Sequence, residues 1–247
     1  MNAARNLVVS ALWLLAGASP AQQGGDLQAQ ILYAYQTEDS NTLANLVGSL
    51  SVQVKADGGD ASLRYHLAHA QYRRGLLAAS KSHDAESAFS DCIDQLKPLA
   101  TPDVKSVEAL ALQSACYSGL AEQTKLESAL LRARAAERLK TALKFGPRNP
   151  RAVFIASTQA LREAKPGSAE QQHAFAQLQL AVQLFDASSA TSIDTPGWGH
   201  AEAYLALGQQ LQSRGDHLGA RNWIEKSLIA APDYKAAQRQ LALLVQR

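Results

Sequence analysis

His66 and His69 stand three residues apart in a stretch with helical periodicity. Two imidazoles at that spacing share one face of a helix and could ligate a metal ion. A zinc site needs a third or fourth ligand, and the sequence offers neither a His-Glu-x-x-His nor a paired Cys-x-x-Cys. The pair reads as two polar or partly buried helix histidines, and no metal is expected. His83 and His217 fall at the starts of second helices and His200 at the start of a first helix, none with a neighbouring motif. Nucleophilic chemistry is equally unsupported. There is no Gly-x-Ser-x-Gly, and Cys116 has no paired histidine signature. Ala56-Asp57-Gly58-Gly59-Asp60 is acidic and lacks the lysine of a phosphate loop, so it reads as an interhelix turn. No catalytic residue and no cofactor is expected.

The two cysteines, Cys92 and Cys116, leave two alternatives. An oxidising compartment permits a disulfide. Free thiols also pack well between helices, and both cysteines fall where small buried residues are expected. Two antiparallel helices closing around the intervening loop put position 110, not 116, level with Cys92, which favours free thiols.

The 247-residue chain carries a formal net charge of +2, giving no strong electrostatic pull on nucleic acid or a membrane. Its charge is uneven. Lys125, Arg132, Arg134, Arg138, Lys140, Lys144, Arg148 and Arg151 are opposed only by Glu127 and Glu137. No aromatics interleave with them to stack on bases or sugars, so segment 125–151 reads first as a solvated helix face. Docking of an acidic partner, an anionic glycan or a lipid headgroup is the functional alternative.

The N-terminus has a different composition. Arg5 precedes an apolar run from Leu7 to Ala18, followed by Ser19-Pro20-Ala21. The run spans about 12 residues against the roughly 20 of a membrane helix, so 1–21 reads as a signal peptide cut after Ala21. Residues 22–247 are then expected outside the cytosol, periplasmic or secreted, without stable membrane insertion.

Few aromatics and abundant Ala, Leu and Gln point to an all-α chain. Periodicity and Gly/Pro punctuation pair the helices as 26–37 with 40–55, 61–78 with 82–97, 104–122 with 126–145, 150–164 with 169–187, and 198–213 with 217–230. A single helix, 233–246, would cap the array, with Tyr234, Ala237, Leu241 and Leu244 inward and Lys235, Gln238 and Arg239 in water.

The last pair is the most specific. It reads Tyr204-x-x-Leu207-Gly208-x-x-Leu211, then Gly215-Asp216, then Ala220-x-x-x-Ile224-x-x-Ser227-x-x-x-x-Pro232. Gly208 facing Ala220 and Ser227 would let the two helices approach closely. Tyr204, Leu207, Leu211, Ile224 and Leu228 would fill the space around that contact. The second-helix half recurs as Ala85-Phe89-Cys92, Ala135-Leu139-Ala142 and Ala174-Leu178-Ala181, whereas Leu43-Val47-Leu50 lacks the small residues.

This pattern resembles the tetratricopeptide repeat (TPR), best at 201–234, with copies spaced more widely than the roughly 34 residues of the family consensus. The resemblance implies an α-solenoid of antiparallel hairpins that binds a protein or peptide along a concave groove. In the last repeat the groove positions correspond to Glu202, Leu205, Gln209 and Gln212. Leu205 and Gln209 stand where chaperone-tail-binding members carry a lysine and asparagine clamp, which implies a polar, uncharged groove. The function implied is an exported, non-enzymatic adaptor of the cell envelope that takes a protein partner and no nucleic acid. A self-associating structural module, or an enzyme or small-molecule binder with a pocket in the solenoid's bend, are the competing readings.

Overall fold

Side-chain caps start most of the helices. Asp39, Asp60, Ser82, Ser106, Asn149 and Asp216 each accept a hydrogen bond from the amide three residues on, at 2.8–3.3 Å. Each cap satisfies an amide that the first helical turn leaves without a partner. Pro150 follows Asn149 as the first helical residue, where its missing N–H has no consequence. The structure is a computed structural model and describes residues 20–57, 60–78, 82–101, 106–188 and 197–245.

Among these residues the chain forms α1 (Pro20–Gln36), α2 (Ser40–Ala56), α3 (Ala61–Leu77), α4 (His83–Leu96), α5 (Val107–Gln123), α6 (Ser128–Phe145), α7 (Pro150–Glu163), α8 (Ala169–Ser188), α9 (His200–Ser213), α10 (His217–Ala230) and α11 (Lys235–Val245), with a 3-10 turn at Lys97–Leu99. No strand occurs among the described residues. The helices pair as antiparallel hairpins, α1–α2 to α9–α10, each first helix also packing on the hairpin before it. The result is the expected all-α solenoid. The leader assigned to 1–21 lies outside the described residues, apart from the opening of α1.

Small residues set the hairpin spacing. A Cβ on Gly208 would lie 2.7 Å from Ile224 Cγ1 and 3.0 Å from the Ala220 carbonyl oxygen, so α9 and α10 touch there. Ser227 donates to the Ala201 carbonyl at 2.8 Å, completing the contact. Phe89 is wedged more tightly still. Cβ atoms on Gly75 of α3 and Gly119 of α5 would stand 2.8 and 2.5 Å from its ring. The ring therefore fixes α4 against helices on both sides. The first hairpin, whose sequence departs from the repeat pattern, packs with Ile31, Ala34, Leu43, Val47, Leu50 and Val54 against Leu67 and Ala70 of α3.

Cys92 and Cys116 are joined, with Cα atoms 6.2 Å apart, which corrects the expectation of free thiols. The 3-10 turn prolongs α4 before the chain reverses, so the register of α5 is later than equal helix ends imply. Phe89 lies against Gly119 and Gln113 Nε2 donates to the Ile93 carbonyl at 3.3 Å, in the same register as the disulfide.

The array closes on itself. At the turn between α1 and α2, Glu38 (φ 56°) receives two hydrogen bonds from Arg239 of α11, at 2.9 and 2.5 Å. Beside them the Tyr35 and Tyr234 rings meet at 6.1 Å. Thus α11 caps the last hairpin through Tyr234, Ala237, Leu241 and Leu244, as expected, and Arg239 of its outer face joins the first hairpin.

The disulfide spans a sequence separation of 24, and opening a loop of that size should lower stability by about 3 kcal/mol. Urea unfolding of a Cys92→Ala/Cys116→Ala variant beside the oxidised chain measures this. A loss under about 1 kcal/mol would mean that Phe89 packing alone sets the α4–α5 register.

Candidate functional site

The first helices of all five hairpins turn one face toward a common interior, and a cavity of about 380 Å³ remains there. Tyr35 of α1, Tyr72 of α3, Phe154 of α7, Trp198 and Tyr234 supply aromatic wall, with Phe89 at the back. Ala115 and Ala206 are too small to fill the centre. Gln159, Gln209 and Gln210 bring amides to the wall, and the half-exposed pair Glu122–Arg162 lies at the edge. This is the size and mix of surface typical of ligand pockets, about 300–1,000 Å³.

One ion pair crosses the floor. Arg73 of α3 is 3% exposed, and its guanidinium donates to Glu202 of α9, itself buried. The guanidinium also lies 4.3 Å over the Tyr35 ring and 5.4 Å from Trp198, where ring faces favour a cation. Glu202 has a second task. Its other oxygen accepts the Gly199 amide at 3.1 Å, closing the first turn of α9. Gly199 has φ 103°, and a Cβ there would meet Phe185 at 2.6 Å, so no other residue fits this entry turn. Trp198 is held in turn by a 2.9 Å hydrogen bond from its indole N–H to the Tyr65 hydroxyl. Arg151, paired with Glu108 at 3.1 Å, stands 5.6 Å from the same indole.

His69 lies behind this layer, stacked on Trp198 at 5.4 Å and accepting from Arg73 Nε at 3.0 Å. Burial, then the positive charge of Arg73, hold its imidazole well below the usual histidine range. Burial also lowers His66. Both rings are thus neutral packing groups, and no cluster of three metal-ligating side chains occurs among the described residues. The charges on the floor neutralise each other, and among the described residues lining the cavity no nucleophile stands beside a base. What it offers is an apolar, aromatic recess ringed by hydrogen-bonding amides.

Searched against family models and against curated protein sequences, the chain matches none. Among solved structures it is similar to the crystal structure of a thermophilic TPR protein from Thermus thermophilus. The TM-score is 0.64 over 92% of this chain and 100% of the other, at 20% identity. This chain has the TPR fold.

Within that TPR-type solenoid the four expected groove residues separate. Gln209 is exposed on the cavity wall, whereas Glu202 lies at the floor and is committed to Arg73. Leu205 is 5% exposed and packs with Ile224, Tyr234 and Ala237. Gln212 is half-buried and bonds to Gln240 of α11. The face of α9 expected to be open is therefore covered over half its length by the capping helix. Tyr204, expected to pack around the Gly208 contact, is partly buried against the Leu178–Leu207 cluster and also donates to Asp186. Sequence reading missed Arg73, Trp198 and the aromatic wall. The only signal for Arg73 is a cation within a helix segment rich in Tyr, Leu and Ala.

The depressed imidazoles make stability depend on pH. Below about pH 6.5 the unfolded chain binds protons that the folded chain refuses, so stability falls with pH by about 1.4 kcal/mol per unit for each such histidine. His69→Gln keeps an acceptor for Arg73 and removes the titration. Its urea midpoint should fall less than that of wild type between pH 7 and 5. Parallel curves would show that His69 titrates normally when folded.

Proposed function

We propose that this TPR-like chain is an exported adaptor that holds a short apolar segment of a partner protein in its concave cavity. The observation that carries the reading is the aromatic cavity to which all five first helices contribute. An aromatic or aliphatic side chain entering it would meet Tyr35, Tyr72 and Trp198. Its flanking peptide groups would meet the amides of Gln209 and Gln210. Because the ion pair and the disulfide already fix the walls, the partner segment would bear most of the ordering cost.

Export rests on the leader at 1–21, with the disulfide in support, since such bonds persist mainly in oxidising compartments. Among the described residues no helix is long and apolar enough to cross a membrane. Mass analysis of chain recovered from the periplasm or medium should give Gln22 as the first residue. Chain found only in the cytosol and still beginning at Met1 would remove the export reading.

Filling the cavity tests the binding reading. Ala206→Trp places a large ring in the recess, while Ile229→Trp adds the same group at a site 80% exposed on α10. A partner captured from cell-envelope extract should be retained by wild type and Ile229→Trp and lost, at least tenfold, with Ala206→Trp. Equal retention by both variants would place binding elsewhere.

A further inference from the structure

Two further depressions adjoin the cavity. Gln159 of α7 lies on its wall, on the wall of a narrow depression of about 100 Å³, and on the wall of a groove of about 410 Å³ between α6 and α7. The narrow part passes between Ser118, the Glu122–Arg162 pair and Arg132. Gln159 is fixed there by hydrogen bonds to Ser118 and Ser114, at 2.8 and 3.2 Å. Past it, the groove has a floor of small and apolar residues, including Ala136, Leu139, Ala156 and Ala160, with Lys140 on its α6 side.

The charge along this path is not balanced. Arg132 and Lys140 are both exposed and belong to no ion pair among the described residues. Among the described residues Glu163 is the one carboxylate lining the groove beside them, while Glu122 in the narrow part is paired with Arg162. The two cations stand eight residues apart on α6, about 12 Å along its axis at 1.5 Å per residue. The depression at Gln159 holds only about 100 Å³, which suits the backbone of an extended chain better than a helix of about 10–12 Å diameter. An extended chain covers 12 Å in about four residues and presents every second side chain to the same face.

We infer that the cavity, the passage at Gln159 and the α6–α7 groove form one track for an extended acidic segment of a partner protein. An apolar side chain seats in the cavity, the backbone passes Gln159, and two carboxylates about four residues apart meet Arg132 and Lys140. This rests on the cavity-binding reading and adds the chemistry of the partner. It also divides the basic segment: Arg132 and Lys140 line the track, whereas Arg134 is exposed on the opposite side of α6 and Arg148 is exposed in the turn beyond its end.

Panning phage-displayed random 12-residue peptides on the full, disulfide-intact chain tests the inference. Enriched peptides should carry an apolar residue and, to one side of it, two acidic residues about four apart. A synthetic peptide of that consensus should bind at least tenfold more weakly to Arg132→Glu/Lys140→Glu. Arg134→Glu/Arg148→Glu makes the same change in charge and should weaken it less than threefold. Replacing the two peptide acids by amides should reproduce the tenfold loss on the unaltered chain, independently of any folding defect. Equal losses from the two charge reversals would overturn the track in favour of general attraction to α6. Peptides without acids that Ala206→Trp still excludes would overturn the track and leave the cavity reading standing. Acidic peptides indifferent to Ala206→Trp would also overturn it, making α6 a separate surface. No enrichment at all would sink the cavity reading and the track together.

Discussion

Arg73 and Glu202 sit on helices of the second and fifth hairpins, yet their charges meet in the middle of the molecule. A guanidinium this deeply buried is expensive to desolvate, and its environment answers in three ways: a carboxylate, an imidazole nitrogen and aromatic faces. Such a pair adds little net stability compared with apolar packing of the same volume. Its effect is to specify. With the array closed, removing either partner leaves the other charge buried and unpaired, at about 3–5 kcal/mol. The pair thus ties the second hairpin to the fifth across the interior.

Closure has consequences at both ends. Tyr35 reaches Tyr234, and Glu38 reaches Arg239, so the capping helix is shared between the last hairpin and the first. Glu202 also closes the first turn of α9 through the Gly199 amide, which ties the entry of the last hairpin to the position of α3. The interior that results is neutral in charge and aromatic in lining. Its remaining free volume exists because Ala115 and Ala206 stand where larger residues would fill it.

Local order was largely legible. The caps at Asp39, Asp60, Ser82, Ser106, Asn149 and Asp216 and the punctuation at Pro147 and Pro166 act within one turn of chain, so the hairpins follow from sequence. Gly208 behaves as its spacing implies, because it contacts its own hairpin partner. Two other readings depended on longer range. Equal helix ends put position 110 beside Cys92, but a 3-10 turn and the wedge of Phe89 between Gly75 and Gly119 bring Cys116 there. Leu205 has the spacing of a groove residue, and only the capping helix makes it core.

The sequence by itself determined the helices, their pairing and the small-residue contacts within each hairpin, since propensity, capping and 3.6-residue periodicity are local. Tertiary structure alone decided the disulfide, the closure and the cavity. Each depends on side chains brought together from separate hairpins: Cys92 with Cys116, Arg73 with Glu202, Tyr35 and Tyr72 with Phe154 and Trp198. Small rotations accumulated from hairpin to hairpin set those meetings, and no single repeat encodes the sum.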